Sequence, residues 1–236
     1  LAFPTAYYLH LIYTEALFLL LAVAAFYALA EDKLAWAALA AFCLPLTRAV
    51  GLLVAAPLLW QIFARRAGSH SKLKQAAIVS VAFGAGFVLY LALMQAHTGS
   101  LFAGVEAQQY FFSNYTLKNL LNPVGWLARN FVTVQLSVHN FNTSFINRAF
   151  FVLFLPTLYL IFKKNGPTFL LYALVAGLVP ALSGDLDSFP RYALVVFPMF
   201  IALAGVLRQR TVYAILPMMV LQLVFLFAHS LNYWVA

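Results

Sequence analysis

The side chains able to do chemistry are few and fall in short clusters. "YTE" sets Tyr13, Thr14 and Glu15 at the head of an apolar run, and "PLTRAVG" carries Arg48 inside another. "GDLDSFPRY" holds two carboxylates, Asp185 and Asp187, followed by Arg191 and Tyr192. A guanidinium grips phosphate through two parallel hydrogen bonds. Carboxylates bind carbohydrate hydroxyls or a metal, or take a proton. Glu15 has two readings. It is a first-turn acid favoured by the helix dipole, with Thr14 as N-cap, or a carboxylate at the rim of a cavity. Arg48 has no acidic neighbour in sequence and needs a counter-charge, either Glu15 or a phosphate. Asp185 and Asp187, two residues apart, can share a divalent cation, although acidic loops show the same spacing. Arg191 is a second phosphate ligand, and Tyr192 stacks on a sugar or anchors an interface.

Other chemistries are missing. His10, His97 and His139 are not spaced as metal ligands. The single cysteine, Cys43, lies in an apolar run, so a disulfide framework or cysteine metal site within the chain is excluded. There is no nucleophile motif, glycine-rich phosphate loop or cofactor fingerprint. A divalent cation at the acid pair is the one cofactor the pattern admits.

The elements that must position these residues are apolar. Of 236 residues, 65% are hydrophobic and 8% charged, with mean hydropathy +0.92. A soluble domain carries about 25% charged residues, so too little charge is present to cover a water-facing surface. Barrel strands alternate apolar and polar residues, whereas "EALFLLLAVAAFYALA" is apolar on all sides. The fold class is therefore all-α, a polytopic membrane protein. We read 1–236 as a single transmembrane domain, the carboxyl-terminal part of a longer chain. Its spans are about 1–11 (truncated), 14–30, 34–47, 49–63, 75–96, 149–162, 168–182, 193–207 and 211–230.

Positive charge orients these spans. Arg65, Arg66, Lys72, Lys74, Lys163, Lys164, Arg208 and Arg210 sit in loops that alternate to share the cytoplasmic side. The net charge of +8 is thus topology signalling rather than a nucleic-acid footprint. Residues 97–147 and the loop 183–192 then face outward. In 97–147, Asn122–Pro123 marks a helix start. Trp126 and Phe131 suit a helix lying in the interface plane; the alternative is a loosely packed loop. Asn114–Thr116 and Asn142–Ser144 are weak glycosylation sequences. Residues 34–63 as one helix would run about 45 Å, well beyond a ~30 Å hydrocarbon core. A hairpin turning near Pro45–Gly51 is preferred, because it returns Glu15 and Arg48 to the outer side. The glycines of "FGAGF" read as close helix packing.

Four stretches occur in order: "FPTAYYLHLIYTEALFLLL", "LPLTRAVGLLVAAPLL", "FAGVEAQQYF" and "SFPRYALVVFPMFIALAG". Together they resemble the PIG-V family, the glycosylphosphatidylinositol second mannosyltransferase and its bacterial relatives, which are GT-C glycosyltransferases. The resemblance implies a GT-C-like helix bundle with interfacial outer-side helices. It implies inverting transfer of mannose from a polyprenyl-phosphate donor to a lipid or glycan acceptor on the outer or lumenal face. The bacterial plasma membrane is favoured over the endoplasmic reticulum membrane, with membrane lipids as surroundings and no nucleic-acid partner. By match, Phe3–Pro4, Tyr13–Glu15, Thr47–Gly51 and Arg191–Tyr192 border the outer cavity. Substrate-binding candidates are Tyr13, Glu15, Arg48, Gln108, Asp185, Asp187, Arg191 and Tyr192. The catalytic base is expected upstream of Leu1, in a first outer loop, so the segment alone is expected to be inactive. A different class, a transporter or lipid flippase, predicts paired broken helices in two repeats; only 34–63 is interrupted. A structural subunit without catalysis is the third reading.

Overall fold

A computed structural model describes residues 2–65, 68–104, 106–107, 117–133, 144–186, 188–231 and 233. The described chain is helical and contains no strand. Three helical stretches are long and apolar enough to cross a membrane: Ser69–Thr98, Phe145–Asn165 and Phe197–Ser230, the last made of two helices joined through the 3-10 turn Arg208–Arg210. The chain divides into two compact units, one of Leu1–Glu15 with Asn114–Ala236 and one of Ala16–Ser113.

The unit of residues 16–113 contains α1 (Glu15–Ala30, less its first residue), α2 (Leu34–Thr47), α3 (Val50–Leu53), α4 (Ala55–Ala64) and α5 (Ser69–Thr98). α1 has no polar stripe, yet Phe18, Ala22, Ala25, Phe26 and Leu29 are buried at helical spacing while Leu17, Leu20, Val23 and Tyr27 stay exposed. An apolar exposed face is what a lipid-facing helix presents. Small residues let α2 and α5 approach closely. Ala37, Ala40, Ala41 and Leu44 form the buried side of α2, and Ala76, Val79, Phe83 and Gly86 that of α5. A Cβ at Gly86 would collide with the Phe42 carbonyl oxygen, so of the "FGAGF" pair this glycine is the packing one. Gly84 has open space around it.

The interrupted run 34–64 doubles back. α2 ends at Thr47, whose Oγ1 donates to Leu44 O at 2.7 Å. Arg48 is extended (φ −155°, ψ 148°), and the helix resumes at Val50. Gly51 sits against the end of α2, where a Cβ would strike the Leu44 carbonyl. At the far end Arg65 Nη1 meets Asp32 Oδ1 at 2.8 Å, and Gln61 Nε2 donates to Phe26 O at 3.4 Å. One straight helix would hold those ends about 45 Å apart. Each arm is shorter than the length that crosses a membrane unaided. The basic stretch 65–74, expected as a loop, is helical from Ser69 onward, and Lys72 Nζ donates to Phe63 O at 2.9 Å.

The other unit begins with the 3-10 turn Ala6–Leu9, where the end of a membrane span was expected. Next come the 3-10 turn Leu117–Leu121, α6 (Pro123–Leu127) and a π-helical turn Ala128–Val132. Asn122 caps α6, its Oδ1 accepting from Gly125 N at 2.9 Å. Trp126 is not an interface anchor, because it is buried and its Nε1 donates to Ala181 O (3.0 Å) and Gly184 O (2.7 Å). The exposed large apolar residues here are instead Leu121, Val124, Leu127 and Val132. α7 (Phe145–Asn165) follows, then α8 (Pro167–Ala173), a π turn Leu174–Leu178, α9 (Val179–Ser183), α10 (Phe189–Leu194), α11 (Phe197–Leu207) and α12 (Thr211–Ser230). The expected span 193–207 is broken at Val195–Val196. Pro198 has no N–H for the preceding turn and restarts the helix from its first turn. The core of this unit is aromatic, with Phe151 and Phe154 edge-on to Phe189 at 5.2 and 5.4 Å.

Candidate functional site

The opening segment reaches α10 through Thr5, whose Oγ1 donates to Pro190 O at 3.0 Å. Tyr7 and Tyr8, in the 3-10 turn, pack with Leu194 and Phe225. Their rings stack at 4.6 Å. On the other side, Ser188 takes a left-handed conformation (φ 59°, ψ 27°) ahead of α10, and its carbonyl accepts from Arg191 N at 3.0 Å. These two elements, 176 residues apart in sequence, deliver Glu15 and Arg191 to the same point.

Arg191 Nε donates to Glu15 Oε1 at 2.6 Å. The Glu15 side chain is 0% exposed and that of Arg191 16%. The guanidinium lies 4.1 Å from the Tyr13 ring centre and 4.8 Å from that of Tyr8. Each contact is worth ~0.5–2 kcal/mol, the upper figure when desolvated. Tyr8 is buried and Tyr13 is exposed, so the ring pair closes one side of the guanidinium and borders the open one. Among the described residues, Glu15 is the one hydrogen-bond partner of the Arg191 side chain, and no acceptor meets its two terminal nitrogens. Burial drives the Tyr7 phenol well above its ordinary pKa, with neighbouring Tyr8 adding and the Arg191 charge opposing. Burial also raises Tyr8, against the lowering effects of Tyr7 and Arg191.

Tyr192 is half-buried, one residue beyond Arg191 on α10. Asp185 sits 3.8 Å from Arg129 Nε, too far for a hydrogen bond. Arg48 belongs to the other unit, half-buried at the break between α2 and α3. Gln108 and Asp187 lie outside the described residues, as does His139. Among the described residues no three His, Cys, Asp or Glu side chains gather to hold a metal.

Sequence reading missed the polar residues that fix the loop before α10. Asn130 Oδ1 accepts from Leu186 N at 3.0 Å. Buried Arg148 donates through Nε to Asn130 O at 2.9 Å and through Nη1 to Ser144 O at 3.2 Å. Asn119 Nδ2 donates to Ser183 O at 2.8 Å. An arginine in the first turn of a long apolar helix was the available signal for Arg148. For Asn119 and Asn130 there was none. No protein-family model, curated protein or solved structure matches this chain.

Proposed function

We propose that this chain is part of an integral-membrane, multi-pass glycosyltransferase of the GT-C type. It would transfer mannose from a polyprenyl-phosphate donor to a lipid or glycan acceptor on the outer or lumenal face. Support comes from the four PIG-V-like motifs in order and from the apolar helices that keep a lipid-borne donor close. The observation that carries the reading is Arg191. Its Nε is committed to Glu15 and its faces to Tyr8 and Tyr13, while its terminal nitrogens have no acceptor among the described residues. A guanidinium fixed in this way is preorganised for phosphate oxygens.

In the proposed reaction the bond from the sugar's anomeric carbon to the phosphate oxygen breaks and a bond to the acceptor oxygen forms. Negative charge grows on the departing phosphate, where Arg191 offsets it. The acceptor's proton needs a base within hydrogen-bond reach. Glu15 is enclosed and engaged with Arg191, so its role is to position the arginine. Tyr13 is the exposed surface beside the charge, suited to a sugar ring.

Arg191→Lys in the full-length protein tests this. Lysine keeps a charge for Glu15 but lacks the fork. Transfer should fall about a hundredfold with thermal stability near wild type. Wild-type transfer rates would refute the phosphate role. Substrate movement across reconstituted vesicles without covalent transfer would replace the reading with a transporter.

A further inference from the structure

We propose that His229 is the general base of the transfer, the group that takes the proton from the acceptor hydroxyl. The inference rests on the glycosyltransferase reading and goes beyond it, since the family resemblance puts the base upstream of Leu1. His229 stands in the last turn of α12, a helix otherwise apolar apart from Thr211, Tyr213, Gln222 and Ser230. It falls four residues after Phe225, on the face of α12 that packs against the opening turn. There Phe225 and Ala228 meet the cluster of Ala6, Tyr7 and Tyr8. An ionisable side chain on the packed face of a membrane helix is costly and marks a functional candidate.

The imidazole centre lies 5.6 Å from the Tyr7 ring centre and 5.9 Å from that of Tyr8. Tyr8 is also a wall of the Arg191 site, its ring centre 4.8 Å from the guanidinium. Imidazole and guanidinium are therefore no farther apart than the two Tyr8 distances laid end to end. An inverting displacement needs a gap of that size. The phosphate sits against the guanidinium, the acceptor oxygen approaches the anomeric carbon to about 3–3.5 Å, and the base stands about 3 Å beyond that oxygen. With the phosphate between them, cation and base come out on the order of 10 Å apart. A purely structural histidine would be held by hydrogen bonds, as Trp126 and Asn130 are in this unit. Among the described residues His229 has ring contacts only, and it is half-buried, so one side is open. A neutral imidazole keeps one bare nitrogen as an acceptor. The other groups at hand do not serve: burial raises the Tyr7 and Tyr8 phenols, which stay protonated, and Glu15 is enclosed against Arg191. In the step itself the acceptor oxygen bonds to the anomeric carbon. The electron pair of the breaking carbon–oxygen bond goes to the phosphate beside Arg191. The acceptor's proton passes to the bare nitrogen of His229, and from there to water on the open side.

The test uses the full-length protein in lipid nanodiscs, with farnesyl-phosphate mannose as donor and octyl mannoside as acceptor. His229→Ala should lower kcat by about 10²–10⁴-fold and leave the donor KM within about twofold, as expected when only a transition-state interaction is lost. Added imidazole should restore much of that kcat, and more basic imidazoles should restore more. A packing role would not give this rescue. His229→Gln keeps a polar side chain of similar size but takes no proton, so it should be as slow as His229→Ala and gain nothing from imidazole. Should His229→Ala fail to fold, His229→Gln decides through its kcat and KM. Wild-type kcat in either variant would overturn the proposal, as would a folded His229→Ala that imidazole leaves unchanged. Those results, with wild type active, remove the base and keep the glycosyltransferase reading. A wild type that transfers no mannose overturns that reading and the base with it.

Discussion

Removing both members of the Glu15–Arg191 pair should cost less than the two single losses added together. The carboxylate is fully enclosed and its partner 16% exposed, so this pair belongs with buried ion pairs rather than surface ones. Arg191→Met takes away the charge, the 2.6 Å hydrogen bond and two ring contacts. It leaves an anion with little access to water. Breaking a buried pair in this way costs about 3–5 kcal/mol, a large share of the ~5–15 kcal/mol that holds a typical fold. Glu15→Gln keeps an oxygen to accept from Nε and leaves the cation between its rings, so about 1–3 kcal/mol is expected. The double variant removes both charges and their desolvation. Its loss should therefore fall short of the summed single losses by at least ~2 kcal/mol. The assay is SDS titration of the purified full-length protein in mixed micelles, followed by far-UV circular dichroism at low and high salt. A buried pair should be nearly insensitive to salt. If Arg191→Met costs no more than the ~0–1 kcal/mol of an exposed pair, or if the single losses simply add, the enclosed ion pair is wrong.

Three further predictions concern the scaffold. In a Cys43→Ser background, Asp32→Cys and Arg65→Cys should be joined by a short bis-maleimide within one chain, because those side chains meet at 2.8 Å; a continuous helix over 34–63 would give no cross-link. Arg65→Ala by itself should cost less than ~1 kcal/mol, since Asp32 is 80% exposed. Gly86→Ala should destabilise by about 1–3 kcal/mol in the same SDS titration, as its Cβ would meet the rigid Phe42 backbone rather than a movable side chain. Gly84→Ala, in open space, should be neutral or mildly stabilising, and an equal loss at both positions would refute close packing at Gly86.

Much of the helix content was legible because lipid-facing helices need apolar residues on every side, and such runs are visible without any tertiary information. The end of α2 was legible too. Pro45, Thr47 and Gly51 each favour an end or a close approach there, and they agree. The break at Val195–Val196 was readable in principle from Pro198, but the apolar run around it outweighs one proline in any hydropathy reading. Trp126 misled for a related reason. Tryptophan suits an interface and a core equally, and the two carbonyls that accept from Nε1 lie 55 and 58 residues further along the chain.

By itself the sequence determined that this chain is helical and membrane-bound in character, and that its scarce charged groups sit at helix ends. Those properties follow from composition and local pattern, which the chain carries at every scale of folding. It also marked Glu15 and Arg191 as separate candidates, Glu15 as a helix-start or cavity carboxylate and a candidate partner of Arg48, and Arg191 as a phosphate ligand. Only the tertiary structure decided that they are each other's partner, since a 2.6 Å contact across 176 residues leaves no periodic trace. The same holds for Tyr8, an apolar core residue by its neighbours and a wall of the site by its place. Burial gives this pairing its weight: an enclosed, ionised Glu15 is stabilised by a cation, and the packing of the opening turn against α10 brings Arg191 to it.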